Sequence, residues 1–133
     1  MKKILVLCTG NSCRSQMAEG LINHYFKDKY QAFSAGIKPS TVNPYAVKTM
    51  AEMGVDISKN ISKSIEVFKN ETFDIVITVC DNAKESCPAY FGKAVKYHWP
   101  FEDPAEAAGS EEEILKAFRN VRDAIFIKLK QEL

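Results

Sequence analysis

Two side chains able to do chemistry stand close together near the start of the chain, the thiol of Cys8 and the guanidinium of Arg14. Five residues separate them in the run Cys8-Thr9-Gly10-Asn11-Ser12-Cys13-Arg14-Ser15. The apolar run Ile4-Leu5-Val6-Leu7 precedes it and a stretch with helical periodicity follows, so the run reads as a strand-to-helix loop. A loop of this length can turn its backbone N–H groups inward, and the start of the next helix adds partial positive charge. Thr9, Gly10, Asn11, Ser12, Cys13, Arg14 and Ser15 would then hold a tetrahedral oxyanion, with Cys8 beneath it as the nucleophile. Free thiols are mostly protonated at neutral pH, with a pKa near ~8.5. Inward N–H groups, a helix start and a neighbouring cation all favour the thiolate. The planar fork of Arg14 suits two oxygens of the anion. Ser15 has two competing uses, a hydrogen bond to the sulfur or a cap on the helix.

Asp103-Pro104 is the second feature. A protonated Asp103 near the anion would act as general acid for a departing oxygen, with Pro104 stiffening the backbone that aims it. Asp-Pro is also a common turn pair, and Glu102 beside it is the assignment to avoid. The third feature is Cys80 and Cys87, which bracket a polar segment. Seven positions on a rigid helix would hold these thiols ~10 Å apart, at about 1.5 Å per residue. A disulfide needs α-carbons within roughly 7 Å. Joining them therefore requires the intervening segment to loop out, and Pro88 disfavours helix at Cys87. The cysteine gaps do not match the short ligand pairs of zinc ribbons, so no metal is expected. Buried, unreactive thiols would account for Cys13 but poorly for the other three. His24 and His98 have no catalytic partner in the sequence and read as surface or packing residues.

The elements that must position these groups alternate along the chain. Strands are predicted at 2–7, 31–35, 73–79 and 95–99, with helices at 15–30, 43–54, 65–69 and 110–131. In the first helix Met17, Ala18, Leu21, Ile22, Tyr25 and Phe26 would face inward, in the second Ala46, Val47, Met50 and Met53. Asn43 and Ser110 are the predicted caps, and 55–64 is a polar loop. Such alternation predicts an α/β fold: one domain over 1–133, a four-stranded parallel sheet flanked by helices on both faces. Ligands in these sheets bind beyond the carboxyl ends of the strands, where Cys8, Cys80 and Asp103 would converge. The 133 residues are 46% hydrophobic with a net charge of +1, which gives no electrostatic case for nucleic acid or membrane binding. The N-terminal apolar run is too short for a signal peptide or a membrane span, so the expected compartment is the cytoplasm. Stable disulfides are rare there, and the cysteines are better read as a working redox set.

The Cys-x5-Arg-Ser pattern resembles the anion loop of low-molecular-weight protein tyrosine phosphatases. Gln16-Met17-Ala18-Glu19-Gly20, Ser34-Ala35-Gly36, Asn43-Pro44, Cys80 with Cys87, His98-Trp99 and Asp103-Pro104-Ala105 narrow the resemblance. Together they are similar to the thioredoxin-coupled arsenate reductases built on that phosphatase fold, over essentially the whole chain. The resemblance implies a relay from Cys8 to Cys80 to Cys87, with Arg14 and Asp103 assisting, arsenate as substrate and thioredoxin reducing a final Cys80–Cys87 disulfide. It also implies a potassium site in some members, matched here by Asn11, Glu19 and Ser34, with Lys63 at the acidic position. The expectation is that the Lys63 ammonium replaces the cation, that no cofactor is needed, and that the protein is a monomer. The alternative is a phosphotyrosine phosphatase, against which Ala105 stands where those enzymes usually carry an aromatic residue. A non-enzymatic oxyanion or redox sensor would leave Asp103 without a role.

Overall fold

The structure is a computed structural model that describes residues 1–81, 90 and 92–133. Its elements run β1 (Lys2–Cys8), α1 (Arg14–Tyr25), β2 (Tyr30–Gly36), α2 (Pro44–Ala51), a 3-10 turn (Ile65–Phe68), β3 (Ile75–Thr78), β4 (Val95–His98), a second 3-10 turn (Pro104–Glu106) and α3 (Glu111–Glu132). All strand pairs are parallel, in the order β2-β1-β3-β4. From β1 the chain therefore steps to one side for β2, then crosses to the other side for β3. The carboxyl ends of β1 and β3 flank the point where the strand order reverses, which is where open α/β sheets place their ligands.

Residues of β1 alternate between two cores, as the two-residue period of a strand demands. Ile4, Val6 and Cys8 join Met17, Leu21 and Ile22 of α1, Ala46 and Met50 of α2, and Phe118, Ile125 and Leu129 of α3. Leu5 and Leu7 face the other way, with Phe73, Val76 and Ala35, and are covered by Ile65 and Phe68 and by Tyr90 and Ala94. Helical segments thus lie on both faces, but unevenly: among the described residues the second face carries only the first 3-10 turn. No helix among the described residues is long and apolar enough to cross a membrane.

Several predicted elements are shorter than expected: β3 spans Ile75–Thr78, not 73–79, and α2 ends at Ala51, not near 54. Helix α1 stops at Tyr25, not near 30, because the amides of Lys29 and Tyr30 both turn back to the Phe26 carbonyl and redirect the chain into β2. Tyr25, expected inside, is 43% exposed as a result. Helix α2 is capped as expected, the Asn43 carboxamide oxygen accepting from the Tyr45 amide at 2.8 Å, with Pro44 in its first turn. Its buried positions are Ala46, Thr49 and Met50, while Val47 and Met53 are only half-buried. Thr49 satisfies its hydroxyl by donating to the Tyr45 carbonyl at 2.9 Å. Ser110 and Glu113 form a reciprocal capping box at the start of α3.

Candidate active site

Buried carbonyls need donors, and those of the 8–15 loop find them outside the loop. The Thr9 oxygen accepts from the amides of Ile37 and Lys38, and the Ser12 oxygen from the amide of Asn43. The Ser62 hydroxyl donates to Gly10 at 2.9 Å and the Gln16 carboxamide to Asn11 at 3.3 Å. Cys13 receives the first helical bond, from Met17. With each carbonyl from Thr9 to Cys13 drawn outward, the amides face the other way. Those of Gly10, Asn11, Ser12 and Cys13 donate to no protein acceptor among the described residues. This outward anchoring of carbonyls leaves those amides for an acceptor within the turn.

Asn11 sets the curvature. It is fully buried with φ 48°, a left-handed conformation that asparagine tolerates better than most residues. Its side-chain oxygen accepts from Gln16 at 2.9 Å and from the Lys63 amide at 3.0 Å. That fixes its nitrogen toward Ser15, whose hydroxyl oxygen accepts at 2.8 Å. The same hydroxyl lies 2.8 Å from the Cys8 sulfur, and with one lone pair taken by Asn11 its hydrogen is available to the sulfur. Ser15 therefore serves the thiol and not the helix end, where Cys13 is the N-cap and no side chain caps.

Arg14 is buried and its guanidinium reaches across to the loop after β4. One terminal nitrogen donates to the Phe101 carbonyl at 3.2 Å and the other lies 3.7 Å from an Asp103 oxygen. The second Asp103 oxygen accepts from the Ala105 amide at 3.0 Å, which holds the carboxylate at the head of the second 3-10 turn. Cys8, Thr9, Gly10, Ser12, Cys13, Arg14, Lys38, Asp103 and Ala105 enclose a cavity of about 240 Å³, too small for most organic ligands and roomy for one oxyanion. A larger hollow of about 630 Å³ lies on the opposite face beside Phe68 and Tyr90, and no predicted site residue lines it. Chemistry, not volume, selects the smaller one.

The other thiols differ from Cys8 in setting. Burial pushes Cys13 up to about 12, so it stays a neutral thiol despite lining the cavity. Cys80 is fully buried just beyond β3, packed in the same core as Cys8 at the end of the adjacent strand. Its sulfur is disulfide-bonded, whereas Cys8 and Cys13 are free. Cys87 lies outside the described residues. Behind the loop, Glu19 accepts from Ser34 at 2.9 Å and from Asn60 at 2.9 Å, and the Lys63 ammonium is 3.9 Å away. Burial raises the Glu19 pKa, and the Lys63 charge opposes that rise. Lys63 also donates to the Ile61 carbonyl at 3.0 Å.

A family model described as low molecular weight phosphotyrosine protein phosphatase matches residues 3–133. The chain belongs to that family. It is 47% identical over 129 residues to an arsenate reductase of Halalkalibacterium halodurans, spanning 97% of this chain and 93% of the relative. Among solved structures, an arsenate reductase in a phosphate-binding state superposes with a TM-score of 0.81 at 33% identity, covering 98% of this chain and 95% of the other. A thioredoxin-dependent arsenate reductase of Corynebacterium glutamicum gives 0.64 at 25% identity, covering all of this chain and 64% of that one.

Within this family member, the fold brings Cys8, Cys13, Arg14 and Asp103 together around one cavity, with Ser15 bonded to the Cys8 sulfur and Cys80 in the adjoining core. Glu102 is exposed and does not line the cavity, and neither histidine does. Among the described residues, no three His, Cys, Asp or Glu side chains gather as metal ligands. Sequence reasoning missed Gln16, Asn60 and Ser62, which buttress the loop, and Lys38, which lines the cavity. Lys38 had a signal: it follows the carboxyl end of β2, on the edge where such sheets bind ligands. Asn60 and Ser62 had none, because their partners Gln16, Glu19 and Gly10 are 41 to 52 residues away in sequence.

Proposed function

We propose that this protein reduces arsenate to arsenite through a thiol relay and is restored by thioredoxin. The observation that carries the reading is the second thiol: Cys80 stands at the end of β3, beside the strand that delivers Cys8 to an oxyanion-sized cavity. In the proposed sequence the Cys8 thiolate attacks arsenic, and hydroxide departs as water with a proton from Asp103. Arg14 and the inward amides hold the remaining oxygens. Cys80 thiolate then attacks the Cys8 sulfur; the S–As electron pair passes to arsenic, which leaves as arsenite. Cys87 attacks Cys80 in turn, freeing Cys8, and the dithiol of thioredoxin supplies two electrons to the resulting disulfide. A Cys80 held in a disulfide that involves neither Cys8 nor Cys13 fits the last stage of this relay. The similarity to arsenate reductases, one of them thioredoxin-dependent, supports it. A chain that cycles free thiols belongs in a reducing compartment, the cytoplasm.

Weak phosphatase activity accompanies this reading, because arsenate and phosphate share shape and charge. A full phosphotyrosine phosphatase fits less well, since Ala105 at the cavity wall offers no ring to line a phenyl slot. Lys63 is read as standing where relatives of this type use potassium, its ammonium serving Glu19. Arsenate-dependent oxidation of NADPH, with thioredoxin and thioredoxin reductase, tests the whole scheme. Cys8→Ser, Cys80→Ser and Cys87→Ser should each abolish turnover, and Cys13→Ser should retain much of it. Turnover that survives loss of Cys80 or Cys87 would reject the relay. Arsenate KM should be the same in sodium and in potassium salts, and a fall in potassium would reject the role given to Lys63.

A further inference from the structure

We propose that Lys38 is a substrate-binding residue, a second cation at the cavity mouth that admits dianionic oxyanions to a site already holding a thiolate. This rests on the cavity being the oxyanion site, as proposed above. Charge bookkeeping inside the cavity motivates it. The groups lining it include one buried cation, Arg14, and two groups that carry negative charge when ionised, Cys8 and Asp103. Arg14 already lies 3.7 Å from Asp103, so part of its field is spent there. With Cys8 as thiolate, Arg14 alone leaves the site negative when Asp103 is ionised and only neutral when Asp103 holds the proton it is to donate. Lys38 is the other cation in the lining, and it raises the charge the dianion meets by one in either state.

An exposed lysine is ordinarily a solvated charge, and two observations set this one apart. Its backbone is pinned to the anion loop: the amides of Ile37 and Lys38 both donate to the Thr9 carbonyl, at 2.9 and 3.0 Å. Two residues on, the Ser40 amide bonds the Ser62 hydroxyl, which itself donates to Gly10. Pro39 between them restricts Lys38 toward extended backbone. The side chain thus springs from a fixed point at the rim. Second, its ammonium is not held in an ion pair or hydrogen bond among the described residues, unlike that of Lys63 behind the same loop, which faces Glu19. Nothing among the described residues competes with an incoming anion for it.

The test measures two quantities on the full chain at low ionic strength: the Kd of inorganic phosphate and the KM and kcat for arsenate with the thioredoxin system. Lys38→Met should raise phosphate Kd and arsenate KM together by about 5- to 10-fold, with kcat changing by less than about twofold, as expected for a partly screened rim charge. The difference should shrink at high salt. Lys38→Arg should restore both constants, and Lys38→Glu should weaken them beyond Lys38→Met. Unchanged Kd and KM in Lys38→Met, a loss that persists undiminished at high salt, or an arginine variant as weak as the methionine one would each overturn the proposal. Should the wild type reduce no arsenate and yet bind phosphate in this Lys38-dependent way, the reductase reading fails and the role of Lys38 stands.

Discussion

Gly36 ends β2 opposite Cys8, and the anion loop is built against the place where its side chain would be. A β-carbon there would lie 2.6 Å from the Thr9 oxygen, 2.8 Å from the Cys8 oxygen and 2.9 Å from the Asn11 nitrogen. Comfortable contacts are roughly 3.5 Å, so Gly36→Ala demands a displacement of about 0.5–1 Å. All three atoms are loop backbone, with no flexible end to retreat. Gly36 does not occupy the left-handed region, so the substitution acts through contact and not through backbone strain. Gly20 in α1 supplies the comparison. Its added carbon would meet Ile57 at 2.8 Å, Met50 at 3.1 Å and Val55 at 3.3 Å, all ends of side chains that can turn aside.

Both substitutions overpack, at a cost of about 1–3 kcal/mol each, and alanine in a helix returns up to about 1 kcal/mol of this at Gly20. Melting temperatures should therefore fall by several degrees in Gly36→Ala and by less in Gly20→Ala. Phosphate binding should separate them sharply. Moving the Asn11 amide and its neighbours by most of an ångström should cost about 10- to 100-fold in phosphate affinity and in arsenate kcat/KM for Gly36→Ala. Gly20→Ala should bind within about twofold of wild type, since side-chain packing absorbs the change. A Gly36→Ala protein with wild-type phosphate affinity would refute the reasoning, because the loop geometry would then not depend on that close approach.

Asn11→Ala should destabilise more than Asn11→Gly by about 1 kcal/mol, seen as a melting difference of about 4 °C, because both lose the same side-chain bonds but only alanine is strained at positive φ. Iodoacetamide at neutral pH should label Cys8 and leave Cys13 unmodified in the folded protein, as read by peptide mass spectrometry, because burial holds the Cys13 thiol up to about 12; equal labelling of both would contradict this. Glu19 has a pKa raised by burial, so its ionisation is a cost in the folded state that is absent at low pH and grows as pH rises through the raised value. Glu19→Gln should accordingly melt at or above the wild-type temperature at neutral pH, with the gain vanishing as pH falls below the ordinary carboxylate range, and a lower melting temperature at neutral pH would reverse the sign.

The parts of the site that could be read from sequence are those set by one element at a time. Cys8, Arg14 and Ser15 follow from a strand, a loop and a helix in immediate succession, and Asp103 from a loop at the same sheet edge. What could not be read depends on contacts made by chain far away. Nothing local distinguishes Ser62 or Asn60 from other polar residues of an irregular segment. Their meaning comes from Gly10 and Glu19, which they reach only because the 55–64 segment folds back against α1 and the end of β2. The end of α1 failed for a related reason: apolar spacing continues through Phe26, but the turn closed by Lys29 and Tyr30 is a tertiary preference, set by where β2 must start. Neither the uneven cover of the sheet nor the exposure of Tyr25 is visible in periodicity.

The anion loop is thus a cage held from outside, and Lys63 shows how many supports one residue can carry. Its amide fixes the Asn11 side chain at 3.0 Å, its carbonyl accepts the Gly36 amide at 2.9 Å, and its ammonium faces Glu19 at 3.9 Å. Two of these three are made by its main chain, and any residue but proline at the position would make them. Only the third depends on side-chain identity, and it supplies positive charge to a buried carboxylate. A residue whose structural duty is met by its backbone leaves its side chain free to vary. On the proposed reading, in which the Lys63 ammonium takes the place of a bound cation, the support behind the loop would be completed without moving it.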